Sequence, residues 1–178
     1  MTSELRVDKI VPTTGAPTGG GGGVIQVVSA TKTDTQTFTT IGNHDITGLS
    51  VTITPKFATS KMLVMYTVNV GPTEGGYSAG VTLVRDSTEI FIGDAASNRR
   101  QVSTFTSISN TGGGTDYNMV HLSGHHLDSP STTSSTTYKM QLKNLSNQSL
   151  YINQSKNDGD QTYIARTASS ITVMEISG

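Results

Sequence analysis

The sequence predicts an all-β protein, an antiparallel sandwich of the jelly-roll type, on three observations. Ser and Thr together number fifty among 178 residues, alongside 19 Gly, a composition typical of short strands and tight turns. From Val24 onward apolar and polar residues alternate with a period of two, as in half-buried strands. Turn-forming residues separate these segments at short intervals. We therefore expect one β-sandwich module over residues 24–178, preceded by an extended arm, residues 1–23.

The arm differs in composition from the rest of the chain. A short amphipathic run is followed by Pro12, Pro17 and five consecutive glycines, residues 19–23. The apolar side chains of that run have no partner within so short a segment, and a lone strand is not stable in water. We expect the arm to dock on a sheet edge of another protein through Leu5, Val7, Ile10 and Val11.

Ten segments are predicted to be strands. The alternation is clearest in residues 62–70 and 137–144, where Val64, Tyr66, Val68 and Val70, and Tyr138, Met140 and Leu142, share a face. The other segments are residues 24–30, 49–54, 80–85, 89–93, 102–108, 119–124, 150–154 and 170–176. Turn signals between them include Asn43, Gly48, Pro55, Ser129-Pro130 and Asn157-Asp158-Gly159. The lack of a fixed-period repeat disfavours a β-helix or propeller.

Composition excludes several classes of function. With a net charge of −1 and 14% charged residues, the chain has no basic field to attract nucleic acid. The absence of Cys removes disulfides and thiolate metal sites. The N-terminal residues have no signal-peptide core, and no run of apolar residues is long enough for membrane insertion. An apolar fraction of 33% is lean, which suggests that subunit contacts supply part of the buried surface.

Several segments resemble tail-fibre proteins of marine and cyanobacterial bacteriophages. These are residues 5–12, with the glycine-rich continuation into 24–28, and residues 46–55, 84–88, 127–130 and 170–176, so that the resemblance covers nearly the whole chain. It implies a virion protein that is made in the host cytoplasm without a signal peptide. It also implies a homotrimer that is anchored to another virion protein by the N-terminal arm and presents its distal loops to a host-surface glycan or protein.

The closely spaced His121, His125 and His126, followed by Asp128, are residue types that bind metals. One His121 per chain, on the same strand face as Met119, could form a ring of imidazoles on a threefold axis. Within one chain the spacing disfavours a site, because residues i and i+4 lie about 13 Å apart along a strand. We predict no metal and no cofactor, with His121 as the remaining metal candidate. We predict that His125 and His126 lie in a loop and contact a ligand or another subunit.

Tyrosines are candidate ligand contacts, because their rings give rigid amphipathic area. The candidates are Tyr77, Tyr117, Tyr151 and Tyr163. Residues 71–80 and 110–117, rich in glycine and polar side chains, are predicted to be surface loops. The predicted ligand-binding set is therefore Tyr77, Tyr117, His125 and His126.

We expect no catalysis. No Gly-x-Ser-x-Gly motif is present, and no pair of carboxylates stands out away from the predicted turns. The glycine tract is followed by a strand pattern and not by the Lys-Ser or Lys-Thr of a phosphate loop. The acidic stretch at residues 157–160 lacks the pattern of a calcium loop and is predicted to be a hairpin turn.

Three functions remain open at this stage. The preferred hypothesis is a short fibre or fibre tip that attaches to the host surface. An architectural virion protein, such as a capsid decoration, collar or head-fibre component, needs the same anchor, oligomer and exposed loops. A glycan-cleaving tailspike would require carboxylates that converge in a groove.

Overall fold

A computed structural model describes residues 23–71, 78–107, 115–145 and 148–178. The described residues form eleven strands and one short 3-10 turn, Thr115–Tyr117. The strands are β1 (Val24–Lys32), β2 (Gln36–Phe38), β3 (Gly42–Ile53), β4 (Lys61–Gly71), β5 (Ser78–Arg85), β6 (Thr88–Ile90), β7 (Thr104–Ser107), β8 (Val120–Asp128), β9 (Thr136–Asn144), β10 (Leu150–Ile152) and β11 (Ser169–Ile176). The arm lies outside the described residues, apart from Gly23.

The strands form two antiparallel sheets. In sheet A, β8 pairs with one edge of β4, and β11 and β10 pair with successive parts of its other edge. Strand β1 pairs with the far edge of β11, and β2 pairs with the far edge of β10. In sheet B, β9 lies between β3 and β5, and β6 and β7 pair with opposite halves of the remaining edge of β5. The predicted all-β antiparallel sandwich is confirmed. The homotrimer stays a prediction.

The core lies between the two sheets and has the alternation that the sequence shows. Alternate residues of β4, from Met62 to Val70, are buried, and the residues between them face outward. Tyr138, Met140 and Leu142 of β9 meet them from sheet B and are fully buried. Full burial of each such side chain is worth about 1.5–3 kcal/mol, so this interleaved layer is the main source of stability.

Two predicted features of the strands are wrong, and one strand is missing from the prediction. Asn43 and Gly48 were interpreted as turn signals, yet both lie within β3, because the register shift between Asp45 and Ser50 lets the strand continue through Gly48. β2 was not predicted, since three residues are too few to show alternation. β8 does not end at Gly124 but continues to Asp128, in register with β4 along its whole length.

The sandwich has two distinct ends. At the entry end, Gly23 leads into β1 and its carbonyl accepts a hydrogen bond from the Ser177 amide at 2.9 Å. Asp128 links the sheets there. Arg85 Nη1 donates to both of its carboxylate oxygens at 2.9 Å, and the Tyr138 hydroxyl donates to one of them at 2.6 Å. At the opposite end, the loop end, β4 finishes and β5, β8 and β10 begin.

No helix in the described part of the chain is long and apolar enough to cross a membrane.

Candidate functional site

The loop end carries a sixteen-residue segment, residues 153–168, that connects β10 with β11 and is closed at its neck by Asn153. Asn153 is fully buried and has a φ of +62°, a left-handed conformation that Asn tolerates better than most residues. Its side-chain amide donates to the Lys32 carbonyl at 2.8 Å, and its side-chain oxygen accepts from Ser169 Oγ at 2.6 Å. Its carbonyl accepts from the Thr167 amide at 3.2 Å. The two ends of the loop are thereby held together on the sheet.

The loop packs tightly on the end of β4 at Gly71. A Cβ on Gly71 would lie 2.1 Å from the Gln154 carbonyl oxygen, so only glycine permits this approach. Further along, the Asn157 amide donates to the Asp116 carbonyl at 2.8 Å, and Lys156 Nζ lies 3.2 Å from the Asp116 carboxylate. These contacts join the loop to the 3-10 turn that precedes β8.

This junction places Tyr117 against Tyr163, although the two are far apart in the sequence. The ring centroids lie 5.4 Å apart at an interplanar angle of 85°, an edge-to-face pair. Tyr117 is 41% exposed and Tyr163 66% exposed, so both rings keep a face toward solvent. The Asn157 side-chain amide donates to the Tyr117 hydroxyl at 3.3 Å. A hydrogen bond with the neighbouring Tyr117 hydroxyl raises the pKa of Tyr163, so the Tyr163 phenol is neutral at physiological pH.

A shallow concavity of about 270 Å³ lies in the same loop, and Asp158 and Arg166 form an ion pair at its border. Arg166 Nε donates to one Asp158 oxygen at 2.7 Å, and the second guanidinium contact completes a bidentate pair. The remaining lining residues are Gly159, Asp160, Gln161, Ile164 and Ala165. We call the two tyrosines together with this concavity the tyrosine surface. It offers flat apolar rings beside carboxylate, amide and guanidinium groups, the combination that binds polyhydroxylated or polar ligands.

The structure places the predicted tyrosines differently. Tyr117 lies on the tyrosine surface and is partly exposed, whereas Tyr77 lies outside the described residues. Tyr151 is half-buried in β10, paired with Gly71 and Thr37. Tyr163 is a tyrosine candidate outside the predicted ligand-binding set, because nothing local in the sequence shows that it meets Tyr117.

The histidines are not brought together with these tyrosines. His125 and His126 were interpreted as loop residues, yet both lie in β8, where they point to opposite faces of sheet A. The ring of His126 stacks on Phe91 with centroids 5.1 Å apart. His121 Nδ1 lies 3.2 Å from the Asn69 side-chain oxygen. Within the described ranges no group of three His, Cys, Asp or Glu side chains could hold a metal ion.

The stretch at residues 157–160 is not a hairpin turn, because β10 and β11 both pair with β4 and not with each other. It is instead part of the long loop. The Gly159 amide donates to the Asn157 side-chain oxygen at 3.1 Å, the local turn chemistry that the residue types suggested.

No protein-family model matches the chain, and no curated protein matches it. Among solved structures, one described as "Structure of infectious bursal disease virus Gx strain" has a TM-score of 0.41 and 13% sequence identity, with 98% of this chain and 42% of that chain covered. The chain thus spans less than half the length of that viral protein. We draw no functional conclusion from a likeness of this size.

Proposed function

We propose that this chain is a structural protein of a bacteriophage particle, a short fibre or fibre-tip module that attaches to the host surface. In this proposal the module is a homotrimer, residues 1–23 anchor it to another virion protein, and the tyrosine surface meets a host-surface glycan or protein. The segments that resemble phage tail-fibre proteins support the assignment to a virion.

The observation that carries the proposal is the polarity of the sandwich. The chain enters β1 at the entry end, where Val24 pairs with Ile176 and Ile176 with Lys61. The tyrosine surface lies at the opposite end, beyond Gly71 at the other terminus of β4. A module held by residues that precede Gly23 therefore directs the tyrosine surface away from its anchor.

The rigidity of the tyrosine surface also supports a role in recognition. The neck at Asn153 and the contacts to Asp116 hold the loop in one conformation before any ligand arrives. Preorganisation of this kind lowers the entropy cost of binding. Exposed tyrosines in such a setting are frequent energetic hot spots of interfaces.

The test compares Tyr117→Ala and Tyr163→Ala with Phe57→Ala, an exposed aromatic residue at the entry end, as the matched control. Fluorescently labelled full-length protein is incubated with a panel of bacterial strains, and its retention on the cells is measured. Each tyrosine variant is expected to weaken retention about tenfold or more, which corresponds to about 1.4 kcal/mol, while the control binds like the wild type. Treatment of the cells with glycosidases or proteases separates a glycan receptor from a protein receptor.

Equal retention of both tyrosine variants and the wild type would overturn the attachment role of this surface. Localisation of the protein on the capsid or collar of labelled particles, together with no retention on any strain, would favour the architectural alternative. The absence of catalysis stays a prediction, and release of reducing sugar ends from the cells by the purified protein would contradict it.

A further inference from the structure

The outward face of sheet A carries a continuous apolar surface. Val27, Met174, Leu63 and Leu127 are directly opposite one another in four adjacent strands, β1, β11, β4 and β8, and so form one in-register row. Val27 is 52% exposed and Leu127 54% exposed. The row and the apolar residues beside it form a surface that we call the Leu63 face: Val24, Val27, Leu63, Met65, Leu127, Met174 and Ile176.

The face is almost free of charge. At its described positions the ionisable side chains are His121, His125 and Lys61, and Lys61 Nζ donates to Ser129 Oγ at 2.7 Å at the border of the face. Ser, Thr and Asn occupy its other polar positions, such as Ser29 and Thr172, which lie in one row with Met65.

The outward face of sheet B carries charged side chains. The low charge of the outward face of sheet A is therefore not a consequence of the overall amino-acid composition of the chain. On sheet B, Asp45 pairs with Lys139 at 2.8 Å, and Lys143 pairs with Glu89 at 2.8 Å. Residues from the segment between β6 and β7 also cover part of sheet B: the Gln101 carbonyl accepts from Lys143 Nζ, and Val102 would lie 2.5 Å from a Cβ on Gly80. Sheet B therefore presents a solvated, partly covered face, whereas sheet A presents an apolar one.

We infer that the Leu63 face is the surface through which copies of this chain pack on one another. A face whose described positions hold no carboxylate and a single Lys, Lys61 at the border, meets other copies of itself with little like-charge repulsion. A different protein partner is usually selected by complementary charges. A glycan is a poor fit, because no Phe, Tyr or Trp side chain points outward from the four strands of the face to stack against a sugar. This inference rests on the proposed homotrimer, for which it supplies the contact surface around the threefold axis.

The size of the face suits self-association. Four strands about 4.8 Å apart and eight residues of about 3.3 Å rise cover about 500 Å² per copy. Three copies that turn this face toward a common axis would bury about 1,500 Å² in total, against the roughly 1,000 Å² that a specific protein interface needs. A groove of about 460 Å³ lined by Leu63, Met65, Ser123, Gly124 and His125 could receive side chains from the neighbouring copy.

The test introduces charge at two exposed apolar positions in the central row of the face, Val27→Glu with Leu127→Glu. The matched control places the same two charges on the outward face of sheet B, Ser50→Glu with Thr52→Glu, where both side chains are exposed. Sedimentation velocity of the full chain at tens of micromolar measures the mass, and thermal unfolding of each variant checks its fold. The wild type and the control are expected at three times 18.7 kDa, and the face variant at 18.7 kDa. The single Leu127→Glu variant is expected to raise the concentration for half-association at least tenfold.

If the folded face variant keeps the wild-type mass, the inference is overturned while the homotrimer of the proposed function stands. If the wild type itself is a monomer, both the inference and the homotrimer fail, because the face is then uncovered or is covered by the chain's own arm. Dissociation of the sheet B control alone would place the contact on the other sheet and would also overturn the inference.

Discussion

At the scale of single residues, the least expected feature is the buried carboxylate of Glu175. It lies on the inward face of β11 and is fully buried near the entry end. One oxygen accepts from the Lys56 amide at 2.7 Å and the Phe57 amide at 3.4 Å, and the other accepts from Gln26 Nε2 at 2.5 Å. Burial raises the pKa of Glu175, but the Ser60 hydroxyl, Gln26 and the two amides outweigh it and leave the pKa below its ordinary value. Glu175 therefore fastens the segment between β3 and β4 onto sheet A.

Glu175→Gln is expected to reduce the free energy of unfolding at pH 7 by about 1–3 kcal/mol, because an amide NH₂ must face one of these donors. Since the folded-state pKa is depressed, the carboxylate stabilises the wild type above the ordinary pKa of 4.5, and this stability is lost as the pH falls through the folded-state pKa. The difference in the free energy of unfolding between the variant and the wild type should therefore be smaller at acidic pH. Urea unfolding of both proteins at pH 7 and at about pH 3, at one fixed protein concentration, measures this difference in the free energy of unfolding.

The exposed Asp94→Asn variant is the control for this experiment and should unfold like the wild type at both pH values. A Glu175→Gln variant with full stability at neutral pH would contradict the stabilising role of the carboxylate.

At the scale of elements, Gly48 allows β3 to continue as one strand through a shift in its register with β9. The first part of β3 pairs with β9 from Gly42 to Asp45, and the second part pairs from Ser50 to Ile53 after a shift in register. Gly48 lies inside that shift with a φ of +86°, in the left-handed region. A bulge of this kind keeps one strand continuous where a turn would have ended it. Both halves of β3 thereby cover β9, and Ile46 and Leu49 both reach the core.

Gly48→Ala is expected to cost about 1–2 kcal/mol, because an L-residue is strained at this φ. The cost does not arise from crowding, since the nearest atom to an added Cβ is 3.8 Å away. Gly93→Ala is the matched control: its Cβ would meet nothing within 4 Å and its φ lies outside the left-handed region. Chemical denaturation of both variants compares the two costs. Equal midpoints would show that the bulge tolerates a side chain and that the strain argument is wrong.

At the scale of the whole molecule, the two ends and the two outer faces of the sandwich differ in chemistry. The entry end holds the Arg85, Asp128 and Tyr138 cluster, which links β5, β8 and β9 across the two sheets. Burial and the hydrogen bond to Asp128 raise the pKa of Tyr138, so its hydroxyl stays a donor at any physiological pH. The entry end, where this cluster joins the two sheets, suits attachment through the preceding segment, and the loop end suits contact with a ligand.

Deleting residues 1–22 is expected to leave the module folded and associated but to prevent its incorporation into particles. Gly23 is kept because its carbonyl accepts a hydrogen bond from the Ser177 amide. Thermal unfolding and sedimentation report on fold and association, and complementation of a phage that lacks the gene reports on incorporation. A matched variant with Leu5 and Val7 replaced by Ser should reproduce the assembly defect if their apolar side chains dock on the particle. Truncated protein found on purified particles at the wild-type level would refute the anchoring role.

Much of the fold could be predicted because strand alternation is a local property. The buried residues of β4 and β9 are those with period-two spacing in the sequence, and each predicted strand overlaps an observed one. The site could be predicted only in part. Tyr117 was chosen from the composition of its surroundings, whereas its contact with Tyr163 depends on how the loop after β10 folds back onto Gly71.

The sequence by itself determined the all-β class, the inward residues of the long strands and the exclusion of thiolate and basic-surface chemistry. Only the tertiary structure decided that β10 and β11 follow one another along β4, that His125 and His126 point to opposite faces, and that Val27, Leu63, Leu127 and Met174 form one row. The physical reason is that the two kinds of feature depend on interactions of different range along the sequence. Alternation is imposed by the pleat of a single strand, but the partners across a sheet are set by long-range pairing, which leaves no periodic signal in the sequence.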